Sequence, residues 1–198
     1  MAQSLKKSFS PSCDRNQQPI LEQLFVYFKQ CEHVLEIGSG TGQHAVFFAE
    51  NLPHLTWNTS DMLDYHESIQ AWMAEVTLSN LVAPIVFHLG KNAWPSLEVD
   101  GVFTANTTHI MQRDEAKLMM ETVATQLKSG GIFCQYGPIK VNGKYTSEGN
   151  REFDQQLQKN GCGGICDVAE LEVWASGMEL IKQIAMPANN FLLVWKVS

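Results

Sequence analysis

The sequence predicts an α/β fold in which a mostly parallel sheet carries helices on both faces. Short apolar runs typical of buried strands alternate along the chain with segments whose apolar residues recur at helical spacing. That alternation produces parallel strands joined by helices. Two apolar segments near the C-terminus, 180–186 and 191–197, have so short a connection that they must pair antiparallel. We therefore expect a seven-stranded sheet with an antiparallel last strand.

The predicted elements follow one another in a regular order. The first is a helix from Pro19 to Phe28, where Pro19 suits the first turn. The strands before the C-terminal pair are expected over 33–37, 55–60, 85–89, 101–105 and 132–136. Further helices are expected over 43–51, around 69–76, over 116–127 and from 167 to about 176. The last of these begins where Asp167 and Glu170 resemble a capping box.

Composition favours one domain and narrows the class of partner. The 198 residues are 44% hydrophobic and 18% charged, which is enough for one well-buried α/β domain over residues 1–198. The polar residues 1–12 are expected to form a loose arm. The net charge is −7 and the 14 Lys and Arg residues are dispersed, so nucleic acid is disfavoured as a partner.

The sequence shows neither a membrane segment nor a targeting signal. No apolar run approaches the ~20 residues of a membrane span, and the first residues lack the apolar core of a signal peptide. We therefore expect a cytoplasmic protein with no membrane partner. The five cysteines complete neither a zinc-binding pattern nor a disulfide framework, so no metal is expected.

The segment from Val34 to Gly42 carries the strongest functional signal. An apolar run with a single acid stops at three glycines spaced Gly-x-Gly-x-Gly, and an amphipathic segment, 43–51, follows at once. This order predicts a buried strand, a tight turn and a helix N-terminus. Glycine is needed where the backbone takes positive φ or a ligand touches the main chain. The N-terminus of a helix suits a carboxylate or a phosphate.

An acid at the end of the next strand strengthens the prediction of a cofactor site. Asp61 closes the strand expected over 55–60, at about the 20-residue spacing where an acid binds ribose hydroxyls. The dinucleotide fingerprint has Gly or Ala where this chain has Gln43, which disfavours NAD. The pattern that begins at Glu36, Glu-x-Gly-x-Gly-x-Gly, resembles instead the first motif of class I S-adenosylmethionine-dependent methyltransferases. The resemblance implies their Rossmann-like fold and their cofactor.

Further motifs narrow the resemblance to one family and run from about Ser10 to the end of the chain. In sequence order they are Ser10 to Leu21, Gly42-Gln43-His44, Asn106 to Ile110, Tyr136-Gly137-Pro138, Tyr145-Thr146-Ser147 with Asn150, Phe153 and Asp154, and Met186 to Asn190. In that order they resemble the methyltransferase-like family that includes the human methyltransferase-like twenty-six protein. This family is uncharacterised, so the resemblance supports the fold and the cofactor and leaves the substrate open.

The resemblance implies which residues contact the cofactor. Glu36 either orders the glycine turn or reaches the α-amino group of the cofactor, and both roles are open. Asp61 is expected to accept hydrogen bonds from both ribose hydroxyls, with the N-cap of the next helix as the alternative. Met62 is expected to pack beside the adenine. The other expected contacts are Gly38, Ser39, Gly40, Gly42, Gln43, Asn92 and Asn106.

Two positions depart from patterns common among methyltransferases. Asn92 follows the predicted strand 85–89, after which many of these enzymes place an Asp against the adenine amino group. Its side-chain carbonyl is the acceptor available instead. The sequence Asn106-Thr107-Thr108-His109 replaces the (Asp/Asn)-Pro-Pro-(Tyr/Phe) motif of amino-group methyltransferases. Methylation of a planar amide or exocyclic amine is therefore disfavoured.

Five residues are candidates for catalysis or substrate binding. His109 follows the strand end that faces the methyl group in this fold, so it is either a general base or a structural residue. Tyr136 ends the strand predicted over 132–136 and is a second catalytic candidate, and Tyr145 is expected to contact the substrate. Arg15 and Asn16 are expected to fold over the cofactor or grip an anionic substrate, with a helix N-cap as the alternative for Asn16.

The polar segment 137–166 is predicted to be a long loop that covers the substrate, with one short helical patch around residues 153–157. Loops of this length in compact domains are usually functional or disordered. The sequence as a whole predicts a methyltransferase that uses S-adenosylmethionine and acts on a small molecule. Two alternatives stay open: an S-adenosylmethionine-binding interaction protein without catalytic activity, and an NAD-binding oxidoreductase.

Overall fold

The computed structural model describes residues 6–198. Its α-helices are α1 (Pro11–Tyr27), α2 (Gln43–Asn51), α3 (Leu63–Met73), α4 (Arg113–Gln126), α5 (Glu148–Lys159) and α6 (Val168–Trp174). Its strands are β1 (His33–Ile37), β2 (Thr56–Asp61), β3 (Leu81–Val86), β4 (Gly101–Ala105), β5 (Ile132–Gly137), β6 (Lys140–Val141), β7 (Lys144–Tyr145), β8 (Met178–Met186) and β9 (Asn190–Val197). None of the helices in this described part is both long and apolar enough to cross a membrane.

Seven strands form one sheet in the order β3-β2-β1-β4-β5-β9-β8. Strand β1 pairs in parallel with β2 and β4, and β2 pairs in parallel with β3. The last strand, β9, is antiparallel to both β5 and β8. The predicted fold class is therefore confirmed: a mostly parallel sheet with an antiparallel last strand.

The chain divides into two compact units between Phe103 and Thr104. The core of the first unit is an aromatic cluster in which the ring centroids of Phe48, Trp57 and Phe103 lie 5.3–5.7 Å apart. The core of the second unit contains the fully buried side chains of Phe133 and Trp195. Since β1 and β2 lie within this first core, the turn that follows β1 is attached to a rigid base.

The first helix begins earlier than predicted. It starts at Pro11 rather than at Pro19, because Ser10 caps it: the Ser10 hydroxyl accepts a hydrogen bond from the Cys13 N–H at 3.3 Å. Proline at the first helical position suits such a start. The prediction of a loose arm is wrong for Pro11 and Ser12, which are helical, and its first residues, 1–5, lie outside the described part. Ser8 is also held, since Trp72 donates to its carbonyl at 2.7 Å.

Strand β3 spans Leu81–Val86 and not 85–89 as predicted. Pro84 lies inside it, and proline within an apolar run argues against a central strand. The strand is at the edge of the sheet, with β2 as its one neighbour. On an edge strand, every second residue directs its backbone N away from the partner strand. A proline at such a position costs no hydrogen bond between the strands and is tolerated.

The segment 137–166 is folded and not the long loop predicted. It contains the hairpin of β6 and β7 and the helix α5. The Ser147 hydroxyl caps α5 by accepting from the Asn150 N–H at 3.1 Å. Most of the surface of α5 is polar and faces solvent. Its buried residues are Asn150, Asp154 and Leu157. The predicted helical patch is the middle of this helix.

Candidate functional site

The glycine turn between β1 and α2 lies against the end of β2. Gly38, Gly40 and Gly42 have φ values of 77°, 55° and 93°, all in the left-handed region that favours glycine. The N–H groups of Gly38 and Ser39 both donate to the Ser60 carbonyl at 3.0 Å. The turn is therefore fixed to β2 by its backbone.

Two glycines of this turn have different surroundings. A Cβ on Gly42 would lie 2.8 Å from the backbone Cα of Ile69, so this glycine allows α2 and α3 to pack closely. A Cβ on Gly40 would meet no atom of the described residues within 4 Å. Packing inside the protein thus explains glycine at position 42, whereas at position 40 the positive φ is the feature that favours glycine.

Asp61 ties the turn to the start of α3. Its carboxylate accepts from the Gly40 N–H and from the Met62 N–H, each at 2.7 Å. The N-cap of α3 is Met62, so Asp61 does not occupy the capping position that was its alternative role. Burial raises the pKa of the Asp61 carboxyl. The two backbone hydrogen bonds oppose this rise but do not cancel it. Each of its oxygens keeps a second lone pair that can accept a ligand hydroxyl.

Glu36 is a buried carboxyl at the end of β1, with 1% of its surface exposed. Its Oε2 accepts from the Trp57 indole N–H at 3.1 Å. Burial raises the pKa of Glu36 to about 7, and its hydrogen bonds with Trp57 and Ser39 oppose that rise. Both of the roles that the sequence left open are compatible with this position beside the turn.

Ser39 and Gln43 are occupied by contacts within the protein. The Ser39 hydroxyl accepts from the Ser60 N–H at 3.1 Å. The Gln43 amide binds the backbone of Ser10 on both sides, since its oxygen accepts from the Ser10 N–H and its nitrogen donates to the Ser10 carbonyl. The Thr41 hydroxyl donates to the same Gln43 oxygen at 3.1 Å. Gln43 thus holds the N-terminal segment against the turn.

Asn16 and Arg15 differ although they are adjacent on α1. Asn16 is buried, and its Oδ1 lies 2.7 Å from Nε2 of His44 on α2. It is not an N-cap, because Ser10 caps the helix. Arg15 is exposed, with its guanidinium 3.4 Å from the Ser12 hydroxyl. Arg15 therefore presents a positive charge to solvent, whereas the uncharged Asn16 side chain is buried.

Met62 and Asn92, the predicted adenine contacts, are both at the surface of the first unit. Met62 is 39% exposed although it is apolar. The Asn92 side-chain carbonyl accepts from the His88 N–H at 2.8 Å and so closes the turn after β3. An adenine amino group would have to share that oxygen.

In the second unit, Asn106 follows β4 in the left-handed region, with φ of 57°, and its N–H donates to the Tyr136 carbonyl at 2.9 Å. Tyr136 and His109 are buried and line one small pocket with uncharged residues such as Cys166 and Leu171. Burial lowers the pKa of His109 to about 4, so its imidazole is neutral at pH 7.

Tyr145 makes a hydrogen bond to a buried side chain within the segment 137–166. Its hydroxyl donates to Oδ2 of the fully buried Asp154 at 2.6 Å, and this hydrogen bond raises the pKa of Tyr145. Asp154 also accepts from the Ile165 N–H at 2.6 Å and pairs with Lys140 at 3.1 Å. No local pattern in the sequence indicates this network, because its members are far apart in the chain.

Gly163 and Gly164 were not predicted as important. Their N–H groups donate to the carbonyls of Met111 and His109 at 3.1 and 3.2 Å. A Cβ on Gly163 would lie 2.2 Å from the Met111 oxygen, and one on Gly164 would lie 2.5 Å from an Asp154 oxygen. The adjacent glycines in the sequence were the available signal, and they position the loop that carries His109.

Comparison with known proteins adds one family and a group of solved structures. A family model described as a protein of unknown function (DUF938) matches residues 7–197. The S-adenosylmethionine-dependent methyltransferase SibL matches with a TM-score of 0.78 at 17% identity over 94% of this chain and 55% of its own. Human N-acetylserotonin methyltransferase in complex with S-adenosylmethionine matches with a TM-score of 0.77 at 13% identity over 94% and 53%.

An O-methyltransferase family protein from Burkholderia thailandensis matches with a TM-score of 0.78 at 16% identity, over 94% of this chain and 57% of its own. At such low identities these similarities show a shared fold. This chain spans a little more than half the length of each of these proteins.

Proposed function

Since this chain belongs to the DUF938 family and has the fold of class I methyltransferases, we propose that it is an S-adenosylmethionine-dependent methyltransferase. Its acceptor is a small molecule, in line with a net charge of −7 and dispersed basic residues that suit nucleic acid poorly. We also propose that DUF938 corresponds to the family of the human methyltransferase-like twenty-six protein, on the strength of the ordered motifs in the sequence.

The glycine turn carries this proposal. Its residues fit the cofactor because a Cβ on Gly40 would point into open space that another molecule can occupy, and the positive φ there favours glycine. Gly40 donates its N–H to Asp61, which brings an acid with spare acceptor capacity to the same turn. Asp61 would accept from the ribose hydroxyls, and the backbone from Gly38 to Gly42 would lie against the methionine moiety. When bound, S-adenosylmethionine supplies an activated methyl group.

His109 is the residue that we propose as general base. Its imidazole is neutral at pH 7 because burial lowers its pKa to about 4, so one ring nitrogen carries a free lone pair, and the same burial makes it a weaker base than an exposed imidazole. It lines a pocket with Tyr136, and its ring packs edge-on against Phe153 at 5.3 Å. The Gly164 N–H fixes its backbone carbonyl at 3.2 Å. These contacts orient the imidazole, and Tyr136 shapes the pocket beside it.

We predict that S-adenosylhomocysteine stabilises the folded protein and that NAD does not. A ligand that binds only the native state, at a hundred times its dissociation constant, adds about 2.7 kcal/mol. For a chain of this size that corresponds to a rise in melting temperature of roughly 5–10 °C. Thermal unfolding with each ligand measures it. A shift with NAD and none with S-adenosylhomocysteine would assign the turn to a dinucleotide and reject the proposal.

We predict that His109→Asn lowers turnover by at least about a hundredfold, the usual contribution of a general base, with unchanged affinity for S-adenosylhomocysteine. Turnover is measured as S-adenosylhomocysteine formed from S-adenosylmethionine in a small-molecule extract. Phe153→Leu is the matched control for packing, because it removes the ring that orients the imidazole but leaves the imidazole itself, so turnover should fall less than in His109→Asn. If both variants lose activity and stability to the same extent, His109 is a packing residue and not the base.

A further inference from the structure

Glu36 is a buried carboxyl with no cation beside it in the described residues. Its hydrogen-bonding partners, the Trp57 indole and the Ser39 hydroxyl, are both neutral. The ionisable groups that interact with it electrostatically are Asp61 on β2 and Cys13 on α1, and both are acids. A charged Glu36 is therefore surrounded by groups that cannot neutralise it.

Of the basic side chains on the neighbouring elements, Arg15 of α1 is exposed to solvent, and His66 of α3 lies 3.1 Å from the Asp61 carbonyl. Phe103 of β4 pairs with Glu36 in the sheet, and the ring next to Phe103 from α2 is that of His44, at 6.2 Å. Burial lowers the pKa of His44 to about 4, so this imidazole is uncharged at pH 7. The buried imidazole of His44 therefore stays uncharged over the pH range in which Glu36 loses its proton.

The physical consequence is that free Glu36 holds a proton over much of the neutral range. Taking an unpaired carboxylate out of water is costly, and a buried group responds by remaining protonated. Burial accordingly raises the pKa of Glu36 to about 7. A positive charge brought beside it would reverse this, because an opposite charge nearby favours the ionised form.

We propose that Glu36 exchanges its proton for the ammonium group of the cofactor, so that cofactor binding releases a proton and weakens in acid. This inference rests on the proposed function. Glu36 lies in β1 two residues before Gly38, and an amino-acid moiety bound on the open side of Gly40 would have its ammonium group on the side of the turn nearer to this carboxyl. The ligand would supply the positive charge that is missing beside Glu36 among the described residues, and the proton released from Glu36 would pass to the solvent.

The direction of the pH dependence follows from this exchange. Below pH 7 the free protein must lose a proton before the ammonium group is accommodated, so affinity falls by up to tenfold for each pH unit. Above pH 7 the carboxyl is already ionised and affinity becomes constant. Glu36→Gln removes both the charge and the exchange, so its affinity is weaker than that of the unaltered protein at pH 8 and similar to it in acid.

Calorimetry in two buffers of different ionisation enthalpy, phosphate and Tris at pH 7.0, counts the protons released. With a pKa of about 7, we expect about half a proton for each S-adenosylhomocysteine bound. The matched ligand is 5′-methylthioadenosine, which has the same adenosine thioether without the ammonium group and should release none. This pair of ligands tests the protein unaltered and does not depend on how a variant folds.

Two variants assign the proton. Glu36→Gln should bind S-adenosylhomocysteine without proton release, whereas Cys13→Ser, which removes the other acid near Glu36 from α1, should keep it. Equal release with both ligands, or undiminished release in Glu36→Gln, would overturn the inference while leaving the cofactor assignment intact. If neither ligand binds, the proposed function itself fails, which is a separate result.

Discussion

Replacing Asp154 with alanine is expected to lower the free energy of unfolding by about 3 kcal/mol and to open the segment 137–166. Asp154 is fully buried and accepts from the Tyr145 hydroxyl and the Ile165 N–H, each at 2.6 Å. Its removal leaves these donors without an acceptor and leaves the ammonium of Lys140, which is 22% exposed, without its partner. Unsatisfied buried groups of this kind account for the large cost.

Urea denaturation measures the loss of stability, and amide hydrogen exchange shows where the chain opens. Glu152→Ala is the matched control, because Glu152 is an exposed acid on the same helix and should change stability by less than about 0.5 kcal/mol. Exchange should become faster in 137–166 in Asp154→Ala and not in the control. Equal stability of the two variants would show that this network does not hold the segment.

The contribution of Asp154 also has a defined dependence on pH. Burial alone would raise its pKa, but the hydrogen bonds from Tyr145 and Ile165 and the pairing with Lys140 outweigh it, so the pKa lies below 3.8. A carboxyl whose pKa is lowered by folding stabilises the protein above its ordinary pKa. The stabilisation is therefore complete at neutral pH and is lost only as the pH falls below about 4.

The sequence predicted the elements around the glycine turn almost to the residue. The strand 33–37 and the helix 43–51 agree with β1 and α2, because a short apolar run, a group of glycines and a helical period are all local signals. The antiparallel pair of β8 and β9 was equally accessible, since the short connection at 187–190 allows no other pairing.

The errors fall where stability comes from distant polar contacts. Helix α5 looks like a loop in the sequence because its buried centre is Asp154, whose partners at positions 140, 145 and 165 cannot be identified from local spacing. The early start of α1 was missed for a similar reason. Ser10-Pro11 is a helix start signal, but the polar residues around it favour a loose arm. The contact that holds this segment, between Gln43 and the Ser10 backbone, joins residues that are distant in the sequence.

The candidate site was predictable in its parts and less so in its contacts. Residue types and spacing located Glu36, the three glycines and Asp61. They did not show that the Asp61 carboxylate is shared between the Gly40 N–H and the Met62 N–H. That sharing means that a change at Asp61 would disturb the turn as well as the proposed contact with the cofactor. Substitutions within the turn itself therefore separate folding from binding more cleanly.

Gly42→Ala is expected to affect mainly the stability of the protein, and Gly40→Ala mainly its affinity for ligand. Gly42→Ala adds a Cβ 2.8 Å from the Ile69 backbone at a φ of 93°, so overpacking and backbone strain together should lower the free energy of unfolding by about 3 kcal/mol. Gly40→Ala meets no atom of the described residues and has a φ of 55°, which costs about 1 kcal/mol for a residue with a Cβ.

Binding should reverse that order. The methyl group of Gly40→Ala would occupy the space in which we propose that the cofactor approaches the main chain. We therefore expect its affinity for S-adenosylhomocysteine to fall by at least about a hundredfold, or about 2.7 kcal/mol, in a protein that remains folded. Gly42→Ala, measured at a temperature where it is still native, should lose less affinity than stability. Urea denaturation and calorimetry of both variants supply the four quantities. Unchanged affinity in Gly40→Ala would mean that no ligand lies against this turn, because nothing else in the described structure would be displaced by that methyl group.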